Sequence, residues 1–343
     1  MPDVRGPGAL VISLDFELHW GMRDHTTVDP SVSRSLVTSR SEVLNLAALF
    51  AQRGVRATWA TVGLLFATSG AEAKALSPSD RPAYRDPRLD PYTEPIGATE
   101  EEDPLHLAGS LVDSLARTEG QELGSHTFSH YYCLEPFGPL ERNDAAPGAR
   151  AVAFRADLEA AQAAAARKGV RLRSLVLPRN QWDQALAPVL VETGFECYRG
   201  PQPGWAHRSR PGADSGLAVR AARLASTWAG PAVPTFAWTE LVEPSGLHNI
   251  PASAFLRPWS PSTKALQSLQ DGRITKALRD AAQRGRVVHL WWHPHNFAAH
   301  PAENVARLHR LLDEVDRLRA SDGMVSLAMG DASDMARGEQ PAA

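Results

Sequence analysis

Short apolar, β-prone runs alternate with helix-forming runs along nearly the whole chain, and this order constrains the fold more than any other feature. Residues 9–15 (ALVISLD) read as a buried strand, and residues 42–53 carry Leu44, Leu46, Leu49 and Phe50 before Gly54, a suitable helix stop. A strand over 55–62, a helix over 107–117 and a strand over 122–124 follow. The Ala-rich run 152–167, ended by Gly169, gives the clearest helix. Beyond it the pattern predicts strands at 172–177, 195–198, 286–292 and 324–328, and helices at 184–192, about 263–283 and about 302–320. Strands separated by helices pair in parallel through right-handed crossovers, and this many of them curl into a closed or nearly closed α/β barrel.

Two stretches break the rhythm. Residues 69–105 are rich in Ser, Pro, Asp and Glu and are too long for a simple connection, so they read as a functional cover or a disordered segment. Residues 201–262, rich in Pro, Gly and Trp, have no readable period. The rest forms one domain, expected over 8–335, with a loose tail over 336–343.

Composition narrows the function. With 43% hydrophobic and 22% charged residues the chain can bury a sizeable core, and a net charge of -3 with scattered Arg offers no basic surface for nucleic acid. No run of 18 apolar residues suggests a membrane span, and the first residues lack the apolar segment of a secretion signal. Only Cys133 and Cys197 are present and are read as unpaired thiols, so a cytoplasmic location is expected. Oligomeric state is not encoded in any feature of the sequence.

The active site of a parallel barrel lies at the carboxyl ends of its strands, and polar clusters gather there. Asp15 and Glu17 end the first strand, two apart and therefore on one face. His126 and His130 follow the third, where a turn or a first helical turn would bring both imidazoles to one ion. With 12 histidines in 343 residues chance supplies about 0.4 such pairs, so their placement carries the weight. Arg179 and Asn180 follow the fourth strand; Arg179 is a candidate to hold a carboxylate, and the backbone near Asn180 to stabilise an oxyanion. Trp291, His293 and His295 belong to a late strand and its end. His293 is the better proton donor, His295 a rival, His289 an interior hydrogen-bonded residue, and Trp291 a core residue or an apolar wall for an acyl methyl. Two histidines and a carboxylate form a known ligand set for catalytic zinc; Co, Ni, Mn or Fe would also suit it.

In chain order these clusters resemble the polysaccharide deacetylases, the NodB-homology carbohydrate esterases of family 4, over about residues 9–328. His126-Thr-Phe-Ser-His130 matches the family's metal-histidine motif, and Ser13-Leu-Asp-Phe-Glu17 stands where the family has T-F-D-D. The resemblance implies a distorted (β/α)7-type barrel and a metal-dependent hydrolase of the linear amide in N-acetylated amino sugars. It implies Asp15 as general base, His126 and His130 as metal ligands and His293 as acid, with Glu17 taking the ligand duty that Phe16 cannot perform. Whether Asp15 or Glu17 ligates, and which residue orients the acid, stays open. The expected substrate is an N-acylated amino sugar, free or linked to a nucleotide or lipid. The alternatives are a deformylase, a cyclic imide or ureide hydrolase, and an inactive sugar-binding barrel.

Overall fold

A computed structural model describes residues 6–24, 29–137, 148–210 and 216–339. The central strand β1 (Ala9–Phe16) pairs in parallel with β2 (Ala57–Thr61) from Ser13 onward and with β8 (Val287–Trp292) along its other edge. Beside Ala9 to Val11, before β2 takes over, lies β9 (Val325–Leu327). From β2 the sheet runs through β3 (Gln121–Ser125), β4 (Ser174–Val176), β5 (Cys197–Arg199) and β6 (His248–Asn249), and β7 (Ala254–Phe255) extends it beyond β8, all in parallel.

One stretch of chain closes the ring. Ile250 and Ala252 donate backbone N–H groups to the carbonyls of Tyr198 and Gly200, while Ser253 and Leu256 donate to those of His289 and Trp291. Residues 248–256 therefore span the gap between β5 and β8 as one stave. The product is the distorted parallel (β/α) barrel that the alternation predicts.

Helices α1 (Pro30–Gln52), α3 (Gly109–Arg117), α4 (Ala149–Ala166), α5 (Ala187–Glu192), α7 (Lys264–Arg284) and α8 (Pro301–Asp322) accompany the strands. The pleat of β1 decides what they cover. Leu10, Ile12, Leu14 and Phe16 point outward into the main core, which also holds Val43, Leu46 and Phe50 of α1. Ala9 and Val11 point inward and join Val176, Cys197, Val287, Leu327 and Met329 in a smaller apolar plug at the barrel floor. Above that plug the inward positions of β1 turn polar at Ser13 and Asp15, and Glu17 follows just past the end of the strand.

The structure refines three expectations. Helix α1 begins at Pro30, well before residue 42, because its first turns are Ser- and Arg-rich and largely exposed, which hides them from an apolar-period reading. The stretch 69–105 is an ordered cover containing α2 (Gly70–Leu76) and short 3-10 turns; Arg40 pins its end by donating to the carbonyls of Pro104 (3.0 Å) and Leu107 (2.8 Å). The expected loose tail is helical as far as Arg337 in α9 (Met329–Arg337), whose Met329 and Ala332 complete the floor plug; residues 340–343 lie outside the described residues. The unreadable 201–262 region contains α6 (Leu217–Trp228), which buries no residue fully, and the two-residue strands β6 and β7.

Phe50 is fully buried between Trp59 and Trp292, with ring centroids 6.4 and 6.2 Å away. Phe50→Ala should cost about 3–5 kcal/mol, read from urea unfolding midpoints at unchanged slope.

Candidate active site

Glu17, His126 and His130 converge just beyond the ends of β1 and β3. Their ligand atoms all lie within 4.8 Å of one another, and all three residues are buried. Glu17 Oε2 stands 3.3 Å from His126 Nε2 and 3.2 Å from His130 Nε2. His126 Nδ1 donates to the Val176 carbonyl at 2.9 Å, which orients the ring with Nε2 towards Glu17. Burial pushes His130 down to about 4, which keeps its ring neutral near pH 7. Burial opposes ionisation of Glu17 as well, but His293, His126 and His130 outweigh it and hold this carboxyl well below its usual range. A charged carboxylate beside the neutral His130 ring suits a divalent cation, which binds its ligands in these states. The floor of the site also fits: a Cβ at Gly21 would come within 2.2 Å of Glu17 Oε1, so only glycine leaves room for that carboxylate.

The two histidines meet through a bend rather than a helix. Thr127 and His130 have left-handed φ values of 63° and 57°, a conformation side chains seldom take. Asp157 of α4 sustains the bend by accepting the N–H groups of Phe128 (2.6 Å) and Ser129 (3.2 Å) and the Ser129 hydroxyl. Burial raises Asp157 to about 7 in spite of these donors. All five described non-glycine residues with positive φ border the site: Leu18, Thr127, His130, Arg179 and Asn180. Such strain persists only where surrounding structure enforces it.

Asp15 is gripped by an arginine that the sequence reading missed. Arg199, fully buried at the end of β5, donates Nη1 to Asp15 Oδ1 at 2.7 Å and Nη2 to Oδ2 at 2.8 Å. Burial would raise the Asp15 carboxyl, but Arg199 overrides it and the net direction is down. Arg199 also donates to Ser13 Oγ (3.0 Å) and Asn180 Oδ1 (3.0 Å), and its guanidinium lies 4.2 Å over the Trp291 ring.

Arg179, expected in this role, instead pairs with Asp24 and with Glu135 (3.2 Å) and covers the Tyr132 ring. Its left-handed backbone turns it away from Asp15. The Asn180 side chain holds Arg199, and its backbone N–H is already donated to Leu177 at 2.9 Å, so it is not free for an oxyanion. A cation at the end of a readable strand, Tyr198-Arg199-Gly200, was the available signal for Arg199.

His293 completes the group from the end of β8, with Nε2 3.5 Å from Glu17 Oε1 and 3.7 Å from Asp15 Oδ2. The His295 ring lies 5.1 Å from that of His293, and burial brings His295 down to about 4. His289 lies deeper, as expected, with Nδ1 2.9 Å from the Ile250 carbonyl and Nε2 2.8 Å from Ser13 Oγ. His293 and Trp291 also line a cavity of about 440 Å³ that runs outward beneath α6 and α7.

No family model and no curated protein matches the chain. Solved structures share its fold. A protein assigned as a polysaccharide deacetylase from Mycobacterium smegmatis superposes with a TM-score of 0.52 at 14% identity, covering 100% of this chain and 95% of that one. One assigned likewise from Pseudomonas aeruginosa PAO1 gives 0.52 at 12% identity, covering 98% and 92%. An allantoinase gives 0.50 at 11% identity, covering 98% and 92%. The fold is thus that of the polysaccharide deacetylases.

The Asp15–Arg199 pair predicts a pH signature. In the native chain the lowered carboxyl contributes stability that is present above its unfolded value, about 3.9, and is lost as pH falls through the folded value. In Arg199→Met only His126 and His293 remain to oppose burial, so the carboxyl rises relative to the native chain and the variant loses stability relative to it as pH rises. Urea unfolding of the two chelator-treated proteins should show a gap that widens from about pH 4 to about pH 7, where it reaches about 3–5 kcal/mol. A gap independent of pH would contradict the assignment.

Proposed function

We propose that the chain is a metal-dependent hydrolase that removes the N-acetyl group from an amino-sugar substrate, with Glu17, His126 and His130 as the metal ligands. The observation that carries this reading is the meeting of that buried ligand set with an ionised Asp15 and with His293 at one barrel mouth. Bound there, a divalent ion of the zinc class supplies the Lewis acidity that makes water nucleophilic near neutral pH and polarises an amide carbonyl. Asp15 accepts the proton of the attacking water. A carboxylate held this low is a weak base, so its contribution lies in being charged, close and fixed by Arg199. His293, facing the cavity, gives a proton to the departing amine. Trp291, which Arg199 covers, lines the cavity beside His293, where the acyl methyl would rest.

The cavity supports a substrate bearing an anionic group, which favours a phosphate-linked amino sugar over a free one. Arg223, Arg257 and Arg273 line its outer part, and among the described residues no Asp or Glu does. Arg223 and Arg273 donate to backbone carbonyls. Arg257 rests between the rings of Trp228 and Phe255, at 5.7 and 5.8 Å, with its Nε lacking a hydrogen-bond partner. The likeness to an allantoinase keeps a ring-opening amidohydrolase as a second reading. Acetate against ring-opened product, measured on the same preparation, separates the two.

His126→Ala should lose the ion at the barrel mouth and turnover together, whereas Asp15→Asn and His293→Ala should keep that ion and lower kcat by about 10²- to 10⁴-fold, followed by acetate release. Metal-replete His126→Ala with unchanged turnover would overturn the ligand assignment. Arg257→Gln should raise KM for a phosphate-bearing N-acetylhexosamine by roughly 10- to 100-fold and leave that for the uncharged sugar unchanged.

A further inference from the structure

A second cluster with metal-ligand chemistry lies in the cover, apart from the residues used above. His19, Glu94 and His106 present ligand atoms that all fall within 4.8 Å of one another, with both histidines buried and Glu94 half-buried. The rings of His19 and His106 stand 4.9 Å apart at 88°, so they meet edge to face rather than stacked.

His106 is already set up as a ligand. Its Nδ1 lies 2.9 and 3.0 Å from the two Asp103 carboxylate oxygens, so this nitrogen carries the proton and the ring is oriented by a carboxylate, as metal-binding imidazoles usually are. The other nitrogen, Nε2, is buried and has no hydrogen-bond partner. A buried ring nitrogen left without a hydrogen-bond partner costs free energy unless something else engages it, and a cation held jointly with Glu94 would do so.

The backbone fixes the partners as firmly. His19 donates its N–H to the Leu105 carbonyl at 3.3 Å, and Trp20 Nε1 donates to the His106 carbonyl at 3.0 Å. Glu94 directly follows the 3-10 turn Pro91–Thr93, whose start Asp90 stabilises by accepting the Tyr92 N–H at 2.9 Å.

We propose that His19, Glu94 and His106 form a second, structural site for a divalent transition-metal ion of the zinc class, which clamps the cover to the turn that follows Glu17. Two imidazoles and one carboxylate match that ion's preference, and water completes the tetrahedron. The chain would then carry two ions, one at the barrel mouth and one in the cover. The proposal does not depend on the catalytic reading, since it shares no ligand with it.

The test is zinc stoichiometry of the full chain after chelation, reloading with Zn²⁺ and equilibrium dialysis, with circular dichroism confirming the fold of each variant. The native protein should hold two equivalents, His126→Ala/His130→Ala one, and His106→Ala one. Should His106→Ala fail to fold, Glu94→Gln, which removes one charge at a half-buried position, should weaken one of the two zinc affinities by about 10-fold or more while leaving the other unchanged. A native protein with a single equivalent that His126→Ala/His130→Ala abolishes would overturn the proposal, as would two equivalents with affinities untouched by His106→Ala or Glu94→Gln. A native protein with a single equivalent that His106→Ala removes and His126→Ala/His130→Ala leaves intact would count against the catalytic metal and leave this site standing.

Discussion

The paired hydrogen bonds between Arg199 and Asp15 are the constraint on which the rest of the barrel mouth depends. A carboxylate with almost no exposure inside a parallel barrel is tenable only with a partner whose geometry matches it, and a guanidinium offers two parallel donors. That partner needs support in turn. Ser13, Asn180 and the face of Trp291 surround Arg199, and His289 shares Ser13. The interior is therefore layered: an apolar plug at the floor, this polar tier above it, and the Glu17, His126 and His130 group at the mouth. The plug uses Ala9 and Val11, the polar tier Ser13 and Asp15, and the mouth Glu17 just past the strand, so β1 and its end set the vertical order of the site.

The local backbone answers the same need. Side chains at the ends of five different strands point into one space only if the connections bend sharply, and those bends are where the left-handed residues occur. Asp157 shows how the bends are sustained. It lies on a helix outside the barrel, touches none of the reacting groups, and spends its acceptors on the loop between the two histidines. Its raised value shows that burial outweighs these hydrogen bonds, a cost offset by the order they impose.

Much of this was legible in the sequence because its physics is local. The alternation of strand and helix implies a parallel barrel, the two-residue spacing puts Asp15 and Glu17 on one face, and the four-residue spacing of His126 and His130 suits a shared ion. What escaped is what depends on distant pairing. Arg199 ends a strand of only three residues and meets Asp15 from across the barrel, so Arg179, set beside a turn-forming proline, was the more visible arginine. The cover could not be read because 3-10 turns and single-residue anchors such as Arg40 leave no period. The meeting of His19, Glu94 and His106 likewise has no signature in spacing, since tertiary structure alone assembles it. The mostly polar start of α1 concealed a helix for the opposite reason, in that its exposure erased the pattern.

The central claim is that Glu17, His126 and His130 hold the ion on which an amide hydrolase depends. Anomalous diffraction at the zinc edge from crystals of the zinc-loaded protein tests it most directly. The account predicts a peak at about 2.0–2.2 Å from one oxygen of Glu17 and one nitrogen of each histidine. Zinc-loaded crystals with no density among these three residues would contradict it.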